Sequence, residues 1–278
     1  MGVSPSSSKK AENPSKSTAD RCFAVLPERI FVRARQSPQG ILDVLSRDLT
    51  QHGRKYARQN RQEFDSCQLR ESKMNREQFM RKFDKEVAEL DGRRPKLLLH
   101  SCCGPCSGSV IELLSRFFDV TVLWYNPNLW PEEEFELRLE TQKKLISCLD
   151  KDGSHAELYC LDWDCGEYFE RVKGLENEPE EGKRCIECFK LRLEKTAKFA
   201  AEHGFEYFCT TLTVSSRKDA VVINAIGREC AERFGVKWLP SEFRKREGNH
   251  RSMVLAEKYG LYRQTYCGCM FSLNGGGE

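Results

Sequence analysis

The 278-residue chain has no apolar run approaching the roughly 18 residues that span a bilayer, which excludes an integral helical membrane protein. Its first twenty residues hold Lys9, Lys10 and Lys16 among serines with no apolar stretch, so a secretory leader is not expected. Met1-Gly2 with Ser6 fits a loose acylation pattern, but the same residues read equally as a plain tail. No Gly-x-Gly-x-x-Gly and no evident flavin motif occur, so a built-in nicotinamide or flavin site is not expected. There is no internal repeat. The expectation is a soluble cytoplasmic protein that does not meet a membrane.

Cysteine, by contrast, is abundant. Fourteen cysteines fit either a secreted disulfide scaffold or an intracellular metal or redox site. The length, the missing leader and the clustering of the cysteines favour the second. Charge is uneven: residues 1–94 hold 20 Lys/Arg against 13 Asp/Glu, and residues 95–278 hold 25 against 29. A basic arm is thus attached to a mildly acidic body, an arrangement suited to nucleic acid phosphates or simply to solvation.

Three segments are expected: a basic extension over 1–94, partly disordered, a catalytic α/β domain over 95–273, and a short tail over 274–278. In the extension, Leu42, Leu45 and Leu49 suggest one helix and Phe79, Phe83, Val87 and Leu90 a second. Cys22 and Cys67 are isolated. In the body, strands are predicted over 96–100, 120–125, 157–161, 207–212 and 236–239. Helices fall between them: a stripe from Val110 to Phe118, another from Phe135 to Leu149, then 185–203 and 219–234. Alternation of this kind implies βαβ units and a parallel sheet flanked by helices. Ligands of such sheets sit beyond the carboxyl ends of the strands, where the loop 101–108 lies.

Seven cysteines fall in three short stretches: Cys102-Cys103-Gly104-Pro105-Cys106, Cys185-Ile186-Glu187-Cys188 and Cys267-Gly268-Cys269. Thiolates two or three positions apart on a turn can face a common centre. Each stretch alone has a bland alternative: Cys103/Cys106 as a thioredoxin-like dithiol, Cys185/Cys188 as half a zinc site, Cys267/Cys269 as buried residues of a tight turn. Together they overfill a four-ligand zinc site and leave five thiols unexplained by a dithiol enzyme. An iron–sulfur cluster takes four thiolates, assigned here to Cys102, Cys103, Cys185 and Cys188. Cys267 and Cys269 then form an extra pair, whose disulfide would close a strained, labile ring. Cys148, Cys160, Cys209 and Cys230 are expected as buried small hydrophobes, and Cys165 stays open.

The order of motifs resembles the epoxyqueuosine reductases of the QueH type. The resemblance is carried by His100–Ser107, Tyr125–Asn128, Pro131–Phe135, Arg184–Phe189, Thr210–Thr213 and Tyr262–Ser272, and runs from about Lys96 to Ser272. It implies a fold similar to the adenine nucleotide α-hydrolases, with thiols where related proteins cradle phosphate. It also implies reduction of epoxyqueuosine to queuosine at the wobble position of tRNA, and a [4Fe–4S] cluster on Cys102, Cys103, Cys185 and Cys188. With no flavin or nicotinamide site, electrons are expected from an external donor such as a ferredoxin or flavodoxin. A second iron is expected near Cys106 and the Cys267/Cys269 pair, acting as a Lewis acid on the epoxide oxygen. Tyr266 and His100 adjoin the thiols as candidate acids. Phe243–Arg246, His250 and Arg251 are candidate phosphate contacts, and Trp124, Tyr125 and Trp130 candidate stacking residues. The alternatives are a thioredoxin-like oxidoreductase through Cys103/Cys106 and a zinc-stabilised RNA-binding module.

Overall fold

Three consecutive leucines, Leu97, Leu98 and Leu99, lose all solvent exposure in the first strand, β1 (Lys96–Ser101). A strand buried on both faces needs apolar residues at every position rather than at alternate ones. The computed structural model describes residues 76–245 and 247–273. Before β1 comes helix α1 (Arg76–Ala88). Then follow α2 (Gly104–Leu114), β2 (Asp119–Trp124), α3 (Glu132–Lys151), β3 (Glu157–Cys160), α4 (Cys165–Arg171) and α5 (Lys183–Glu202). The chain closes with β4 (Tyr207–Thr210), α6 (Ala220–Phe234), β5 (Lys237–Trp238), α7 (Gly248–Lys258) and α8 (Met270–Leu273).

The five strands form one all-parallel sheet in the order β3-β2-β1-β4-β5. Helices flank it: α2 packs with α3 and α7, and α5 with α6. The architecture is the parallel α/β sheet expected, and is compatible with an adenine nucleotide α-hydrolase-like fold. From β1 the chain winds outward through β2 to β3, then returns to the other side of β1 for β4 and β5. Between β1 and β4 the winding direction reverses, and in open α/β sheets the crevice at that reversal is the ligand position.

Several elements differ from the sequence expectation. The fourth strand ends at Thr210, and Thr211–Val214 form a 3₁₀ turn that the Thr210 hydroxyl caps by accepting from the Leu212 amide at 3.2 Å. Helix α2 stops at Leu114, although Phe117 and Phe118 continue its apolar spacing. Phe118 is buried against Tyr207 at 5.4 Å between ring centroids. Cys209 and Cys230 are buried as expected, but Cys148 is half-buried and Cys160 exposed, since Cys160 ends the edge strand β3. In α1, Phe79, Met80 and Phe83 are buried; Met80 and Phe83, with Leu90, join the core around β1, and Phe83 meets Phe243 edge-on at 6.2 Å. The helix predicted around Leu42–Leu49, with Cys22 and Cys67, lies outside the described residues. No helix among the described residues is long and apolar enough to cross a membrane.

Candidate metal centre

The first cysteine stretch occupies the turn between β1 and α2. Ser107 donates to the Cys103 carbonyl at 2.8 Å and lies 2.5 Å from the Ser101 hydroxyl, and the Asn126 amide donates to the Ser101 carbonyl at 2.8 Å. These bonds fix the strand end and the first helical turn together. Gly104 has no room for a side chain: a Cβ there would sit 2.9 Å from Thr141 Cγ2 and 3.1 Å from the Thr141 carbonyl oxygen. The backbone is thereby folded tightly enough that the sulfur atoms of Cys102, Cys103 and Cys106 all lie within 4.8 Å of one another. Cys103 is the residue preceding α2 and makes no side-chain cap hydrogen bond to the first amides of that helix. Across the β1/β4 crevice, Thr211 Oγ1 accepts from the Cys102 amide at 3.3 Å and lies 3.6 Å from its sulfur.

Cys102 is held well below the ordinary thiol range because Cys103 and Cys106 donate to its sulfur, with Lys218 and Arg192 adding positive potential against the cost of burial. The same bonds push Cys103 up to about 12 and Cys106 well above the ordinary value.

Cys185 and Cys188 stand one turn apart near the start of α5, three positions apart and hence on one helix face. Burial raises both, Cys188 to about 11, and the Cys267 thiolate adds to each shift. The Arg184 guanidinium lies 4.6 Å over the Phe271 ring, fastening the start of α5 to α8.

The third stretch is a turn clamped from α3. Buried Arg138 donates through Nε to Glu134 Oε1 at 2.6 Å, through Nη1 to the Cys267 carbonyl at 3.0 Å and through Nη2 to the Tyr266 carbonyl at 3.2 Å. The Trp130 amide donates to the Gly268 carbonyl at 2.8 Å, and the Tyr266 hydroxyl donates to the Trp130 carbonyl at 2.9 Å. Gly268 has φ +105°, and a Cβ there would lie 2.4 Å from Leu129 Cδ2. The expected Cys267–Cys269 disulfide is not supported: both thiols are free. Cys269 instead donates to Cys267, which is held well below the ordinary range by that bond and by Lys218 and Arg192. Cys267 and Cys102 also feel each other electrostatically, which places the third stretch beside the first.

Two cations serve this centre that the sequence did not announce. Arg192 lies one turn beyond Cys188 on α5, only 2% exposed. Its Nε donates to the Cys188 carbonyl at 3.3 Å, and its Nη2 is buried with no hydrogen-bond partner among the described residues. Burial works against its charge, and the electrostatic pull of the Cys188, Cys102 and Cys267 sulfurs more than offsets it. Lys218, half-buried, is likewise held charged against desolvation by the sulfurs of Cys267, Cys102 and Cys106.

Other candidates are differently placed. His100 is fully buried between two partners: Nε2 donates to the Tyr125 carbonyl at 3.2 Å and Nδ1 accepts from Thr210 at 2.8 Å. Desolvation, with Arg192 nearby, lowers it to about 3. It is a neutral strand-end residue with both ring nitrogens already hydrogen-bonded. Trp124 and Tyr125 are core rather than stacking platforms, and Trp130 packs against Trp163 and Phe169. Of the basic stretch, Phe243 is buried, Arg244 donates to Glu242 at 2.9 Å, and Arg251 grips Glu112 at 2.8 and 2.6 Å. Lys245 and His250 are exposed, and Arg246 lies outside the described residues.

The donor set can be tested against a thiolate-bound anionic cluster. Such a cluster carries net negative charge into a buried site, which demands nearby cations and hydrogen-bond donors. Arg192 Nη2 is an unsatisfied buried donor beside the thiols, and Lys218 a second cation; the residues fit that group.

The fold and site together define a parallel α/β protein whose clustered thiols could hold a metal at the sheet's switch point. The chain belongs to the epoxyqueuosine reductase QueH family, whose model matches residues 97–275, and it is accordingly an oxidoreductase. It is 38% identical to epoxyqueuosine reductase QueH of Staphylococcus epidermidis over 209 residues, covering 74% of this chain and 87% of the relative. It is 40% identical to the Streptococcus pyogenes protein of the same name over 201 residues, 72% of this chain and 78% of the relative. The Thermotoga maritima protein of that name is 36% identical over 180 residues, 64% of this chain and 90% of the relative.

Proposed function

We propose that this chain converts epoxyqueuosine to queuosine at the wobble position of tRNA, using a [4Fe–4S] cluster held by Cys102, Cys103, Cys185 and Cys188. The observation that carries the proposal is the buried, unpartnered Arg192 Nη2 beside thiols from three separate segments. A purely structural thiol cluster has no use for an orphaned buried guanidinium donor, whose desolvation is costly. Family membership supports the substrate, and the absence of a nicotinamide or flavin motif favours an external cytoplasmic electron donor of the ferredoxin or flavodoxin kind.

The overall change needs two electrons and two protons: both C–O bonds of the epoxide break, a C=C bond forms, and the oxygen leaves as water. The cluster, when bound, supplies one-electron transfer from the external donor. Arg192 and Lys218 offset the negative charge of the thiolates. Arg138 and Gly268 hold the Cys267 turn in place, with Cys267 within electrostatic reach of Cys102. Cys106 and that pair remain for a second iron or for substrate. In the metal-free protein the Cys269 thiol donates to Cys267, which lowers Cys267 well below the ordinary thiol range and pushes Cys269 up. The Tyr266 hydroxyl already donates to Trp130.

The test is anaerobic purification with iron and acid-labile sulfide analysis, followed by an assay on epoxyqueuosine-containing tRNA with a chemical reductant. About four irons and four sulfides per chain with alkene product are expected. Colourless protein holding one zinc, with no turnover, overturns the proposal. Activity surviving Cys185→Ser and Cys188→Ser would point instead to the Cys103/Cys106 dithiol.

A further inference from the structure

A cavity of about 100 Å³ opens directly onto Cys106, between the start of α2, the 3₁₀ turn and α7. Its walls are of two kinds. Val214 and Met253 are apolar, Val214 buried and Met253 44% exposed. Asn249, Arg263 and Gln264 are polar, and none of the three side chains hydrogen-bonds to another described residue. Apolar walls with a few convergent polar groups are the signature of a small organic ligand site. Thiol ligands alone would not need them. The cavity is smaller than the roughly 300–1,000 Å³ of pockets that engulf whole drug-sized ligands, so it suits one ring rather than a nucleoside.

Gln264 lies three residues before Cys267 on the segment clamped by Arg138, and Cys106 forms part of the cavity wall. Whatever ring enters therefore shares its walls with a thiol of the metal centre and with two amide side chains. We propose that this cavity receives the epoxide-bearing five-membered carbocycle of the substrate. Asn249 and Gln264 hydrogen-bond its vicinal hydroxyls, Val214 and Met253 cover its carbon face, and Arg263 at the rim meets a phosphate of the same nucleotide. The inference rests on the proposed reaction, and it assigns the ring's recognition to residues outside the thiol set. The amides act here because each offers both a donor and an acceptor, which matches hydroxyl groups that are also both. The electrons and protons remain those of the reaction above.

The experiment uses the metal-loaded full chain with epoxyqueuosine-containing tRNA, comparing the wild type with Asn249→Ala, Gln264→Ala and the double variant. Each single change removes hydrogen bonds between neutral partners, so KM is expected to rise about three- to tenfold and the double variant's more, with iron and sulfide content unchanged. Binding of the same tRNA without the modification, measured by fluorescence anisotropy, should not respond. A double variant whose KM stays within twofold of wild type overturns the inference, as does loss of iron in parallel with activity. Direct titration of the free epoxyqueuosine nucleoside into the loaded protein separates this inference from the reaction it rests on. If the wild type binds the nucleoside, and the double variant does not, the cavity assignment stands even when no turnover is seen. If the wild type fails to bind it, the assignment falls.

Discussion

Replacing Arg138 by methionine keeps the volume and removes the charge and three donors at once. The guanidinium is 2% exposed and serves Glu134, the Cys267 carbonyl and the Tyr266 carbonyl. Breaking a buried ion pair from one side costs about 3–5 kcal/mol. The three bonds, each worth about 1.5–3 kcal/mol when charged, are not added to that figure. The turn loosens and its carbonyls regain water, while Glu134 keeps the Tyr262 hydroxyl at 3.1 Å. For a domain of this size one kcal/mol moves Tm by about 2–4 °C, so Arg138→Met should lower Tm by roughly 6–20 °C. Because the lost bonds hold the Cys267 turn, that thiol pair should also become the fastest-reacting in the metal-free protein. Calorimetry measures the first effect and mass-resolved alkylation the second. A double variant, Arg138→Met with Glu134→Leu, should lose less than the sum of the singles, since it leaves no uncompensated carboxylate. A Tm within 3 °C of wild type, with unchanged alkylation at Cys267 and Cys269, would refute the clamp.

Further outcomes follow from the same geometry. Gly268→Ala meets both an unfavourable φ of +105° and Leu129 at 2.4 Å, so about 2–5 kcal/mol of stability should be lost, read by denaturant unfolding. Arg192→Met should lower iron and sulfide retention several-fold while Arg192→Lys restores part of it; equal metal content in all three proteins would count against Arg192 as the compensating cation. Under mild alkylation of the folded protein, Cys160 and Cys148 should be labelled well before Cys209 and Cys230, which are buried and whose thiols burial pushes upward. Arg251 holds the Glu112 carboxyl below its ordinary range. That contribution is present at neutral pH and lost as pH falls through the depressed value, so Arg251→Ala should cost about 0.5–1 kcal/mol at pH 7, discounted for solvent exposure, and progressively less once the Glu112 carboxyl is protonated.

The parallel sheet could be read from the sequence because its signal is local. The Leu97–Leu99 run has no polar position to spare for solvent, and all five strands are bounded within about two residues of their predicted ends. What escaped was local structure without a periodic stripe. Helix α7 gathers Met253, Val254, Leu255 and Ala256 into one short run, of which only Leu255 and Ala256 are buried, so no 3.6-residue pattern marks it. Helix α4 is seven residues long, yet it carried a usable sign: Asp164 caps it by accepting from the Gly166 amide at 2.9 Å.

The site divides along the same line. Thiol spacing is written in the chain, because ligands on one turn must be neighbours in sequence. The charges that make those thiols usable are not, because each comes from a different element and reads alone as an ordinary surface residue. Arg192 was the most legible of them. It sits four residues after Cys188, at the spacing that places it on the same helix face, and that face was already marked as the buried one by Phe189, Leu193 and Ala197. A permanent cation on the buried face of a helix, one turn from a Cys-x-x-Cys, has only an anion to answer it. Lys218 offered no such sign, since it reaches the thiols from the loop after β4 only once β4 lies beside β1. That adjacency is decided by the return of the chain across the sheet, and it is the same step that brings Thr211 to Cys102. The part of the centre that follows from one turn of backbone was therefore readable, and the part that depends on the order of the strands was not.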